Sequence, residues 1–235
     1  MPDIIQRPSP NFDERAAGVE PTIIILHYTG MQSAGKALNR LCDPEAKVSA
    51  HYTIDEQGAI YQHVEEDKRA WHAGVSSWEN MKDINSRSIG IEIVNPGHEF
   101  GYKPFPDQQT DKVIELCTDI KNRYDIEYVL AHSDVAPDRK QDPGELFPWE
   151  KLAQNNIGVW PAVSDEDCVK AAGIDVMTAL RDFGYKAAKP HNMLVAFQRH
   201  YVPEVFEKGT EGTICGLTKS RLYALLARHY IGGQR

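Results

Sequence analysis

The apolar and polar positions alternate in rhythm along the chain, and the changes of rhythm mark out its elements. Thr22-Ile23-Ile24-Ile25-Leu26 is an unbroken apolar, β-branched run that stops at His27. Such a run predicts a strand covered on both faces. Ala34, Ala37, Leu38 and Leu41 then recur at helical spacing. His51–Asp55 and Ala59–Val64 flank Glu56-Gln57-Gly58, which predicts a hairpin with a glycine in its turn. Residues 66–88 have no clear period and read as a long surface loop, of the kind that often binds ligands. Trp78 in that loop, and His98 beyond it, are expected on the surface.

A second buried strand follows at Ser88–Val94. A helix from about Gln108 to Arg123 carries Val113, Leu116, Cys117, Ile120 and Tyr124 on one stripe. Glu127–Ala131 then leads as a strand into His132. Strands, a hairpin and helices in this order predict an α/β fold with a mixed central sheet and flanking helices. After Trp160-Pro161 the texture becomes helical throughout. Asp175 reads as the N-cap of a helix closed by Gly184, and Leu194, Phe197 and Tyr201 mark a second. Leu222, Leu225, Leu226 and His229 mark a third, capped by Thr218. The expected organisation is a catalytic domain over residues 1–162 and a small three-helix domain over 163–235.

Composition narrows the function. A formal charge of −8 argues against a nucleic-acid binder, which needs clustered cations to neutralise phosphates. The first residues show no basic start followed by an apolar stretch, and no run approaches a membrane span. The expected location is therefore the cytoplasm, or the periplasm if the chain is a trimmed form. Cys42, Cys117, Cys168 and Cys215 are widely spaced and read as reduced thiols without chemistry. Nothing in the pattern sets an oligomeric state.

Several polar residues stand where the strand pattern calls for apolar ones. His27 ends the first buried strand, His132 follows the last, and Glu92 interrupts Ile91 and Ile93. Lys140 and Asp142 lie in the loop after His132. Buried ionisable groups are costly unless paired or bound to a metal. Two imidazoles and a carboxylate suit a catalytic zinc with one position left for water. Glu92 would move the proton and Lys140 would face the developing oxyanion. Each residue alone has an ordinary structural explanation: a strand-end histidine in the core, Glu92 paired with Arg87, or Lys140 in solvent.

The ordered combination is more specific. His27-Tyr28-Thr29, Ser49-Ala50-His51-Tyr52, Trp71-His72-Ala73-Gly74, Asn85–Glu92, Ala131-His132-Ser133-Asp134 and Lys140–Gly144 together resemble the amidase-2 family of N-acetylmuramoyl-L-alanine amidases. That family shares its fold with peptidoglycan recognition proteins. The resemblance covers residues 5–160 and implies His27, His132 and Asp142 as Zn2+ ligands, Glu92 as acid/base and Lys140 as oxyanion stabiliser. It implies His51 near the metal, orienting substrate or else serving the hairpin, and Trp71, His72, Asn85 and Arg87 along a groove for muropeptide, Arg87 toward a peptide carboxylate. The expected partner is then a peptidoglycan fragment, anhydro-muropeptide included, in cell-wall recycling. The helical domain resembles a peptidoglycan-binding module through Ala196-Phe197-Gln198, although residues 204–212 depart from its usual repeat, so a structural cap is the alternative. Two other functions compete: a non-catalytic muropeptide binder, and a hydrolase using a thiol such as Cys42.

Overall fold

The computed structural model describes residues 2–232, the last five by their backbone alone. The strands in chain order are β1 (Ile4–Gln6), β2 (Phe12–Glu14), β3 (Ile23–Tyr28), β4 (Tyr52–Ile54), β5 (Ile60–Gln62), β6 (Lys68–Ala70), β7 (Ser77–Trp78), β8 (Met81–Lys82), β9 (Ser88–Ile93) and β10 (Tyr128–Ala131). The helices are α1 (Ala34–Cys42), α2 (Ile84–Arg87), α3 (Asp107–Lys121), α4 (His132–Val135), α5 (Trp149–Gln154), α6 (Asp165–Ala171), α7 (Val176–Phe183), α8 (Pro190–Tyr201), α9 (Glu204–Glu207) and α10 (Gly216–Gly232).

The main sheet has the order β1-β5-β4-β9-β3-β10. Only the β4–β5 hairpin pairs antiparallel; the other four pairings are parallel. The mixed sheet expected from the strand pattern is therefore present, with β1 added at its edge. β9 and β10 lie on opposite sides of β3, joined through α3. Ligand sites in such sheets form at the C-terminal strand ends where the order reverses, and here that place is the end of β3.

Alternation within the strands divides the interior into two. Ile24, Leu26, Val129 and Ala131 face Val113, Leu116, Cys117 and Ile120 of α3, with Trp149 and Leu152 of α5. Ile23, Ile25, Tyr128 and Leu130 face the other way, into the C-terminal helices, against Leu180, Phe183, Leu194, Phe197 and Leu222. Each fully buried aliphatic side chain contributes about 1.5–3 kcal/mol. This second core is why residues 66–88 are not the surface loop their polarity predicts. They form β6, β7, β8 and α2, and bury Ala70, Ala73, Trp78 and Ile84 under the helices. Trp78, expected on the surface, is 1% exposed and packs edge-on against Tyr128, Phe183 and Tyr185.

The C-terminal region holds five helical segments, α6–α10, rather than three. The Asp175 carboxylate accepts from Thr178 N at 2.7 Å, and Gly184 closes α7 at a φ of +133°, both as the pattern predicts. Thr218 does not cap α10, which begins two residues earlier at Gly216. It is buried, and its hydroxyl accepts from the Gln198 amide at 3.1 Å. The side chain of His229 lies outside the described residues.

Candidate metal centre and groove

Three side chains converge beyond the end of β3. His27 is its fifth residue, His132 opens α4 directly after β10, and Asp142 lies ten residues further on, before a cis bond to Pro143. The His27 Nδ1 and His132 Nδ1 atoms are 2.9 Å apart, and each is 3.0 Å from Asp142 Oδ2. His27, His132 and Asp142 are 1%, 3% and 6% exposed, and among the described residues they form the group able to hold a metal ion.

Neighbouring hydrogen bonds determine which ring nitrogens carry protons. The Ser88 hydroxyl donates to Ile84 O at 2.6 Å and so accepts from His72 Nε2 at 3.2 Å. That leaves the lone pair of His72 Nδ1 facing His27 Nε2 at 3.0 Å, which must donate. On the other side, His132 Nε2 donates to Ala73 O at 3.1 Å. In neutral rings both Nδ1 atoms then present lone pairs to each other and to the Asp142 carboxylate. Three electron-pair donors at 3 Å repel unless a cation lies among them, and this donor set fits zinc.

Charge balance points the same way. Burial, with the His132 imidazole alongside, lowers the His27 imidazole to about 4, so the ring is neutral at pH 7. Burial and the neighbouring Asp142 push Glu92 well above the usual carboxylate range, with Lys140 pulling it back. Glu92 lies opposite His27 in the β3–β9 register, and its Oε2 is buried without a hydrogen-bond partner.

These residues line a groove of about 370 Å³, together with Trp71, His72, Lys140, Tyr28, Arg40 and Arg139. Lys140 and Asp142, two residues apart, both reach it. The other expected groove residues divide. Trp71 lines the groove and ties its indole nitrogen to Asp13 at 2.7 Å. His72 also lines it, held against His27.

His51, Asn85 and Arg87 do not line the groove. His51 is fully buried: its Nδ1 accepts from Gly90 N at 3.0 Å, and its Nε2 donates to Lys68 O at 3.1 Å. Asn85, also buried, accepts through Oδ1 from Ala73 N at 2.7 Å and His72 N at 3.3 Å. It holds the amide of Ala73, whose carbonyl accepts from His132. Arg87 precedes β9 at the end opposite Glu92, its carbonyl bound by Thr22 N, because four strand residues separate the two.

Three neighbours escaped the sequence pattern. Gly90 faces the His72 ring so closely that no side chain fits between them. Arg139 donates to Ala73 O, the acceptor that also takes the His132 proton. His98, expected on the surface, is partly buried and bridges the Tyr28 hydroxyl at 3.0 Å to Glu145 at 3.1 Å. Only Gly90 carried a legible signal, as a glycine inside a β-branched strand.

Residues 17–145 match the N-acetylmuramoyl-L-alanine amidase family. The chain belongs to that family. This amidase chain is 36% identical over 213 residues to N-acetylmuramoyl-L-alanine amidase AmiD of Escherichia coli K12, covering 78% of this chain and 76% of AmiD. It is 32% identical over 164 residues to the 1,6-anhydro-N-acetylmuramyl-L-alanine amidase AmpD of Enterobacter cloacae, covering 62% of this chain and 86% of AmpD. Its fold is similar to a solved structure of E. coli AmiD in complex with anhydro-N-acetylmuramic acid-L-Ala-D-γ-Glu-L-Lys. That match has a TM-score of 0.77 at 32% identity and spans 96% of this amidase and 99% of AmiD, C-terminal helices included. The amidase has no described helix long and apolar enough to cross a membrane. Cys42 is not among the groove residues, so the site gives no support to a thiol nucleophile.

Proposed function

We propose that this amidase hydrolyses the amide between the lactyl group of N-acetylmuramic acid and L-alanine, in its 1,6-anhydro form, using a zinc ion held by His27, His132 and Asp142. The observation that carries the zinc is the set of three converging lone pairs, fixed by the hydrogen bonds behind them. A zinc ion held by these three residues would supply an acidified water and a Lewis acid for the carbonyl under attack. Glu92 takes the water's proton as the new C–O bond forms, and passes it to the alanine nitrogen as the C–N bond breaks. A carboxyl raised by burial holds a proton more tightly than a free one, which suits a group that accepts a proton and returns it. The Lys140 ammonium, on the groove wall, balances the charge that develops on the carbonyl oxygen. The products are a lactyl carboxylate and a free stem peptide.

The anhydro end is proposed from the two relatives whose names carry it. Recycling of wall fragments follows from that substrate. The proposed compartment is the cytoplasm, which suits four free thiols, and cell fractionation with immunoblotting checks it. For division of labour we propose a catalytic domain at 1–162 and a helical domain at 163–235.

Product analysis on purified anhydro-muropeptide and on intact sacculi tests the assignment. Release of free stem peptide from anhydro-muropeptide, abolished by chelation and restored by zinc, supports it. Activity on sacculi alone would overturn the recycling role. Binding of muropeptide without turnover in zinc-loaded protein would favour a non-catalytic binder.

A further inference from the structure

Two of the three expected zinc ligands, and Lys140, sit in one stretch of chain, residues 132–145. The sheet fixes only the start of it, because β10 ends at Ala131. Beyond the four residues of α4 the stretch is turns and extended backbone. A segment of that kind moves unless something ties it, whereas metal ligands must hold their places to within about 0.5 Å.

Arg139 and Tyr102 tie this stretch to the rest of the sheet domain, and three of its carboxylates are held by the C-terminal region. Asp134, two residues after His132, is fully buried. Its Oδ1 accepts from the Tyr185 hydroxyl at 2.6 Å, and its Oδ2 from His200 Nδ1 at 2.7 Å and Ala131 N at 2.8 Å. The His200 ring is clasped between Trp149 and Tyr201, with centroids 3.7 and 3.8 Å away. Asp138, two residues before Lys140, accepts from Ala188 N at 2.6 Å, Asn192 Nδ2 at 2.9 Å and Lys189 N at 3.2 Å. Glu145, three residues after Asp142, accepts from Arg199 Nε at 3.2 Å and shares His98. The anchors at 138 and 145 thus bracket Lys140 and Asp142, and the anchor at 134 lies two residues from His132. Val135 adds an apolar tie, buried in one core with Leu194 and Phe197.

We propose that the C-terminal helices form the clamp that holds the metal-binding segment in register, with Tyr185, His200 and Arg199 as positioning residues. The inference rests on the reading of His27, His132 and Asp142 as a zinc site. It makes the helical region part of the catalytic architecture, whether or not it also touches the cell wall. Removing partners behind a metal ligand lowers metal affinity ten- to a hundredfold in general.

The test uses the full chain. Zinc affinity is measured by chelator competition, and the visible spectrum of the cobalt-substituted protein reports ligand geometry. Tyr185→Phe and Arg199→Gln should each raise the zinc Kd about tenfold and shift the cobalt bands. Leu222→Val trims the same helical core but removes no hydrogen bond to the segment, and should leave both readouts at wild-type values. Arg199→Gln keeps a polar side chain at a partly buried position and carries the test alone if Tyr185→Phe does not fold. Wild-type zinc affinity in folded Tyr185→Phe and Arg199→Gln would overturn the clamp, as would an equal loss in Leu222→Val. A wild-type chain that binds no zinc would instead overturn the metal reading itself, and the clamp with it.

Discussion

Gly90→Ala isolates the close contact behind the candidate metal site. A Cβ at residue 90 would stand 2.5 Å from His72 Nδ1 and 2.6 Å from Cδ2, where ordinary contact begins at 3.4 Å. The ring must retreat by nearly 1 Å, yet it is pinned on both sides by His27 Nε2 at 3.0 Å and Ser88 Oγ at 3.2 Å. Overpacking of this kind costs about 1–3 kcal/mol, or roughly 2–12 °C in Tm for a chain of this size. The same retreat breaks the bond that orients His27, so the zinc Kd should rise about ten- to a hundredfold. Differential scanning fluorimetry of the apo protein and chelator competition measure the two effects. The decisive control is the same substitution in a His72→Ala background, where the obstacle is gone. There Gly90→Ala should cost nothing, or stabilise by about 0.4–1 kcal/mol through the unfolded chain. Wild-type Tm and zinc affinity in Gly90→Ala alone, or an equal penalty in both backgrounds, would refute the reasoning.

Glu92→Gln should keep zinc while kcat falls about 10²–10⁴-fold, since the ligands survive and the proton carrier does not; normal turnover would make Glu92 a structural strand residue. Asp142→Ala should lose zinc outright, measured by metal analysis after dialysis, because it removes the one charged donor. Glu92 also sets a pH dependence: its folded pKa is raised, so the stability it contributes is present in acid and lost as pH rises through that value. Glu92→Gln should therefore flatten the decline of apo-protein Tm toward alkaline pH. His51 acts in the opposite sense. Burial, with Arg15 nearby, lowers it from 6.5 to about 3, so the unfolded chain gains a proton across that range that the folded chain refuses. Stability then falls on acidification by at most about 1.4 kcal/mol per pH unit, and His51→Gln should reduce that slope in acid denaturation.

Residue types and their order along the chain were enough to point to the main strands and to the candidate residues that the fold brings together. β-branched runs announce buried strands whatever packs on them, and an ionisable residue inside such a run is conspicuous because burial penalises charge. His27, Glu92 and His132 were legible for that reason, and Lys140 and Asp142 through the family's ordered motifs. What the sequence could not disclose was which groups stand behind those residues. His72 and Asn85 looked like groove residues, but only the fold shows that His72, on the groove, also backs His27, and that Asn85 holds the amide of Ala73, whose carbonyl accepts from His132. Arg87 shares a motif with Glu92, yet the strand between them carries it to the far end of the sheet. Trp78 lies in a polar stretch without period, and is buried only because α7 and the residues after it fold back over it. The same is true of Asp134, Asp138 and Glu145, ordinary acids in the chain whose partners lie 50 to 66 residues away. Local pattern decides which residues are costly to bury; only tertiary contacts across such separations decide what holds them.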